Sequence, residues 1–353
     1  MVGGGLKGGR PIFWVIGLLF LGATAFAAFS RMGLLDLPRV PSDLSVASAG
    51  LPDMEASRKL DDYIRHSPNI FVTMSSALNH EVMKHPGWRM RHGVEFCRLR
   101  GEESAMAGLQ LMREEVRSRP SDSVLGNSYR MEVFRLRREF LKSMKSRGEL
   151  TPQFPIHLDR QPIAFFEELV RDHPSRETKL QLALAWVDEM LLFPALEIKA
   201  PSSVQSVDIL TELLSTPGNE WYVPALFARG LNHLHRPSRL VWPENAKTPV
   251  NAAVLDIAKC VAAGRKFGVG SERLHATLAI ALGDAYVKAG RNSSARSWWQ
   301  IAQNLCSDDD LQQSIRRRYS WPDEQILDRL EEELDRSRTE LDHPMTDLAL
   351  MWN

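Results

Sequence analysis

Cysteine is scarce in this sequence, and runs of alternating β-branched residues are missing. Its 353 residues include three cysteines, Cys97, Cys260 and Cys306. Three thiols close at most one internal disulfide, which excludes a disulfide framework. They neither support nor oppose an oxidising compartment. Neither sign of charge is in excess, since Lys+Arg and Asp+Glu each number 44. A zero balance lacks the basic field that supplies most nucleic-acid affinity, so no nucleic-acid partner is expected. No convincing strand can be read after about Met54, which points to an all-α fold.

Motifs that carry chemistry are also few. No C-x-x-C-H occurs, which excludes covalently attached c-type haem. No G-x-S-x-G elbow occurs, and the glycines near the start lack the lysine and Ser/Thr of a phosphate loop. His80-Glu81 followed by His85 is not a zinc-protease motif. Its histidines stand at i and i+5, about 140° apart around a helix, where zinc needs i and i+4. His66, His80, His85, His92 and Cys97 could bind metal only through loops, and a polar, partly exposed histidine-rich connection is the plainer reading. Arg98 and Arg100 beside Cys97 could lower its thiol pKa. A buried structural cysteine explains it as well. No catalytic residue, metal or cofactor is assigned, and the chain is not expected to be an enzyme.

One long apolar run is present. Residues 12–29, IFWVIGLLFLGATAFAAF, form an 18-residue stretch without charge. That is near the lower limit for a helix crossing a bilayer core. Lys7 and Arg10 precede it. A signal peptide cleaved near Ala25-Phe26-Ala27 is one reading. An uncleaved anchor is favoured, because the apolar run continues past that site. Both readings export the remainder. The expected location is the inner membrane, single-pass, with the bulk of the chain periplasmic.

The chain then divides into a basic leader (1–10), an anchor or signal segment (11–29), a linker (30–52) and a helical region without a match (53–160). Helical repeats (161–320) and an acidic capping helix with a tail (321–353) follow. Proline and glycine clusters mark the breaks. Within residues 121–147, Tyr129, Val133, Leu136, Phe140 and Met144 make one apolar face. Seven basic residues between 129 and 147, including Arg130 and Arg137, face Glu132 and Glu139 for a net +5. The plain reading is a solvated face; the sharper one is a docking surface for an acidic partner or anionic membrane. Residues 321–342 carry the opposite sign, with nine acids against three arginines. Their apolar residues Ile326, Leu327, Leu330 and Leu334 suit a helix that closes a stack.

The most informative segment is 278–310. It reads as two helices joined at Ala289-Gly290-Arg291-Asn292. Leu282, Gly283, Tyr286, Ala295, Trp299 and Ala302 resemble the tetratricopeptide repeat in order and spacing. Gly283 lets the second helix approach, Ala295 and Ala302 keep the facing side small, and Tyr286 and Trp299 fill the remaining space. Ala279 and Ser307 depart from the pattern, at positions where a large aromatic and a proline are usual. Worn copies are read at 180–190 with 204–214, and at 222–235 with 250–263. The resemblance implies a helical-hairpin solenoid whose groove binds a peptide or helix of another protein. Arg229, Asn232 and His233 are the candidate groove contacts. The expected function is a membrane-anchored scaffold or adaptor with an unidentified protein partner. A fixed structural subunit of a membrane complex, or a metal-dependent enzyme using His80, His85, His92 and Cys97, are the alternatives.

Overall fold

Side-chain caps and left-handed glycines mark several of the element boundaries. The computed structural model describes residues 87–98, 102–147, 161–192, 196–237, 251–267, 270–337 and 347–351. All described regular elements are helical. They are α1 (Trp88–Arg98), α2 (Glu102–Ser118), α3 (Ser123–Ser146), α4 (Gln161–Asp172), α5 (Arg176–Leu192) and α6 (Leu196–Ser215). They continue with α7 (Val223–His235), α8 (Ala252–Phe267), α9 (Glu272–Lys288), α10 (Asn292–Leu305), α11 (Asp309–Tyr319) and α12 (Ile326–Ser337), and close with a 3-10 turn at Ala349–Met351. The apolar run 12–29, the linker, His66, His80 and His85 lie outside the described residues. No described helix is long and apolar enough to cross a membrane.

Asp122 caps α3 by accepting from the amides of Val124 (3.1 Å) and Leu125 (3.2 Å). Asp308 does the same for α11, accepting from Asp310 and Leu311, each at 3.1 Å. These bonds satisfy amides that the first helical turn leaves open. Gly290, at φ +71°, turns the chain from α9 into α10. A side chain there would be strained.

The described residues fall into two units, divided between Leu111 and Met112. In the first, α1 packs closely on the start of α2. A Cβ at Gly108 would lie 2.5 Å from the Gly93 carbonyl oxygen and 2.6 Å from Cys97 Sγ.

The second unit is a run of helical pairs. Helices α5 and α6 pack together, as do α7 and α8, and α9 and α10. Each second helix also packs on the next first helix: α6 on α7, α8 on α9, α10 on α11. The first helices touch one another in turn, α5 with α7, α7 with α9, and α9 with α11. This is the nearest-neighbour connectivity of a helical-hairpin solenoid. Helices α3 and α4 pack on α5, so the run extends into the region that showed no resemblance in sequence. First helices begin at residues 123, 176, 223, 272 and 309. Every step is longer than the tetratricopeptide period of about 34 residues.

The basic helix α3 has its acidic partner within the chain. Arg130 is fully buried and grips Asp188 of α5, with Nη1 donating at 2.6 and 2.7 Å. Arg137, 1% exposed, pairs with Glu189 of the same helix. The solvated-face reading therefore fails for these two, because α5 supplies adjacent carboxylates. Glu132 and Glu139 hold Arg135. Lys142, Lys145 and Arg147 remain exposed. The acidic helix α12 likewise meets basic groups nearby, with Glu331 on Lys288 at 2.9 Å and Glu333 on Arg317 at 3.2 Å.

Candidate protein-binding groove

Helix α9 is the centre of the site, because its two sides do different work. One side meets α10. Gly283 lies under Trp299, and a Cβ there would stand 2.5 Å from the indole Cδ1 and Nε1. Ala295, Trp299 and Ala302 are fully buried, Leu282 is buried, and Tyr286 packs half-buried against the same core. Trp299 donates its indole N–H to Asp284 Oδ1 at 3.0 Å. Arg318 of α11 donates to the two oxygens of Asp284, each at 2.8 Å. Burial opposes the Arg318 charge, but the Asp284 and Glu333 carboxylates outweigh it and hold the guanidinium above its ordinary value.

The other side of α9 opens on a cavity of about 600 Å3 shared with α7, α11 and α12. Phe227, Leu231 and Leu234 of α7, with Ile280 and Ala281 of α9, give it an apolar floor. Glu333 ties part of its rim together, pairing with Arg317 and Arg336 at 3.2 Å each. Four arginines in the lining, at 273, 317, 318 and 336, balance acids at 284, 310, 333 and 347. A lining of this size, apolar below and neutral in sum, suits an amphipathic segment rather than a polyanion.

Asp347, Ala349 and Leu350 of the segment Asp347–Met351 line one wall of the cavity. Leu348 is fully buried in the core, and Leu350 and Met351 pack against it. Asn127 of α3 reads this segment with both ends of its amide. Its Nδ2 donates to Asp347 Oδ1 at 2.8 Å, and its Oδ1 accepts from the Leu348 amide at 3.3 Å. Arg130 orients the amide by donating to the same Oδ1 at 2.9 Å. Asp347 Oδ1 also accepts from the Ala349 amide at 2.9 Å.

None of Arg229, Asn232 and His233 lines the cavity. The inward stripe of α7 is Phe227, Leu231 and Leu234, spaced four and three apart, which leaves residues 229, 232 and 233 on other faces. Arg229 clasps Asp256 of α8 with two bonds of 2.8 Å and reaches Thr211 of α6 at 3.1 Å. Asn232 is fully buried and accepts from Ser203 of α6 at 2.6 Å. Arg236 donates to the same Ser203 hydroxyl at 3.0 Å. In the first unit, His92 Nδ1 meets Glu95 at 2.8 Å, and Cys97 is buried with Sγ 3.7 Å from the Ala105 carbonyl. Among the described residues, no group of His, Cys, Asp and Glu could hold a metal.

Burial, with Arg236 and Arg229 adding to it, pushes His233 down to about 3. An unfolded histidine titrates near 6.5, so between these values the unfolded chain binds more protons. The stability due to a neutral His233 is therefore complete above about pH 6.5 and is lost as pH falls towards 3. Thermal melts should show the native chain losing stability from pH 7 to pH 5 more steeply than His233→Gln. Parallel slopes would contradict the placement.

Sequence reasoning missed Asn127, Asp347 and Leu348. A weak signal was present, in that Asp347-Leu348-Ala349-Leu350-Met351 pairs a turn-forming acid with apolar residues. Neither a protein-family model nor a curated protein matches the chain. Among solved structures it is similar to a thermophilic tetratricopeptide-repeat protein of Thermus thermophilus. The identity is 17%, the TM-score 0.39, and the match covers 66% of this chain and 98% of the other.

Proposed function

We propose that this chain is a scaffold that binds a segment of another protein in the α7–α9–α11 groove. The observation that carries this reading is the cavity itself, an apolar floor under a charge-balanced rim on the layer formed by the first helices of successive pairs. Its Asp284–Arg318 and Glu333–Arg317 pairs join helices to one another. Their role is to hold the groove's shape, which fits binding rather than turnover.

The apolar run 12–29 supports a second part of the same proposal. It would anchor the scaffold at the outer face of a bacterial inner membrane. Confinement there raises the effective concentration of a membrane or exported partner without any new contact.

Thr277 gives a clean test. It lines the cavity, and its hydroxyl bonds back to the Arg273 carbonyl of its own helix at 2.8 Å. Thr277→Trp should fill the groove while changing stability by no more than about 0.5 kcal/mol. Recovery of the partner after gentle detergent extraction should then fall at least about tenfold, a loss near 1.4 kcal/mol. Undiminished recovery by a folded Thr277→Trp variant would remove the groove from the account.

A further inference from the structure

We infer that the segment Asp347–Met351 is a built-in occupant of the inner helix face, displaced by a partner peptide with the same Asp-Leu-x-Leu pattern. The inference deepens the groove reading and rests on it. Three observations carry it. The segment lies against first-layer helices, with Asn127 of α3 bonded to it and α9 in contact with its 3-10 turn. It therefore covers the same layer that the cavity opens on, and it supplies one wall of that cavity.

The mode of attachment is that of a ligand. Asn127 uses a side-chain acceptor for the Leu348 backbone amide and a side-chain donor for the Asp347 carboxylate. Arg130, itself fixed by Asp188, positions that amide. Leu348 supplies the apolar anchor and is fully buried. A peptide with an acid followed by leucine, entering the same turn, could make the same bonds. Asn127 is 220 and 221 positions from its two partners, so no local helix or turn enforces the contact.

The hold is also small. One buried leucine, two half-buried apolar neighbours and a few hydrogen bonds stand against the entropy of ordering five residues. These contributions are of similar size, which makes exchange with an external peptide feasible. While the internal segment occupies the face, the apparent affinity for a competitor is reduced by the fraction of molecules left open.

The probe is a fluorescent peptide of residues 345–353 with both ends blocked, titrated into the full-length chain in detergent. Wild type should bind it weakly. Leu348→Glu, which expels the segment, should bind it at least about tenfold more tightly. Asp347→Ala removes the hydrogen bonds that its carboxylate accepts from Asn127 Nδ2 and from the Ala349 amide and leaves the leucine in place, so it keeps the test available if Leu348→Glu does not fold. It should give a smaller gain of the same sign. A peptide carrying Leu348→Glu should not bind any form. Equal binding by wild type and both folded variants overturns the inference, as does no binding to any of them. If that happens while Thr277→Trp still abolishes partner recovery, only the built-in occupant is lost. If Thr277→Trp has no effect either, the groove reading falls with it. Peptide gain only at concentrations where the chain self-associates would assign the segment to a second copy, and would overturn the internal arrangement.

Discussion

Asp284→Ala should lower the unfolding free energy by about 3–5 kcal/mol, the usual cost of stranding one half of a buried ion pair. Arg318 is 6% exposed and its guanidinium meets Asp284 through two bonds of 2.8 Å. Removing the carboxylate leaves that largely buried charge without its principal partner at the edge of the cavity. It also removes the acceptor of the Trp299 indole N–H. Glu333, 3.9 Å from Arg318 Nη1, is too distant to substitute fully. Chemical denaturation should show the loss, and hydrogen exchange should place it in α9, α10 and α11 first. Asp284→Ala combined with Arg318→Met should recover most of it, because the stranded charge goes with the arginine. A loss below about 1 kcal/mol would mean that Arg318 reaches water, and the helix junction would need another explanation.

The second large effect is at Gly283. In an isolated helix, replacing an interior glycine with alanine gains up to about 1 kcal/mol. Here the same change should destabilise by about 1–3 kcal/mol, with valine worse still. The added Cβ would stand 2.5 Å from the Trp299 ring and 3.1 Å from the Ala295 carbonyl oxygen. The ring has nowhere to go. It is fully buried, bonded to Asp284, and faces Trp321 edge-on at 6.0 Å and Tyr319 at 6.3 Å. Gly283→Ala with Trp299→Leu should lose less than the separate effects added, since the smaller side chain makes room. Stability at or above wild type in the alanine variant would contradict the close approach of α9 and α10.

These two positions show what a sequence can disclose. Close helix contact demands a residue of fixed size at a fixed spacing, so the Gly283–Trp299 arrangement can be read along the chain. The helical class can also be read, from three- and four-residue spacing and from the absence of strand patterns. Long-range polar partners cannot. Arg130 and Arg137 look like part of a solvated basic face, and their carboxylates lie 58 and 52 positions away on α5. Periodicity shows that a side chain leaves the apolar stripe, not whether another helix waits there. The same limit hid the Asn127 clamp and the inward stripe of α7. Arg229 stands out as a polar residue near a loop, whereas nothing in the type of Phe227, Leu231 and Leu234 separates a groove floor from a core.

The most direct test of the groove compares photoreactive residues at two exposed positions in the full-length chain, in its native membrane. Gln313 lines the cavity on α11, whereas Leu255 on α8 is 61% exposed and outside the cavity lining. A discrete protein adduct from position 313, absent at 255 and lost when Thr277→Trp is added, is the predicted result. Equal adducts from both positions, or none from 313, would contradict a protein-binding groove on this face.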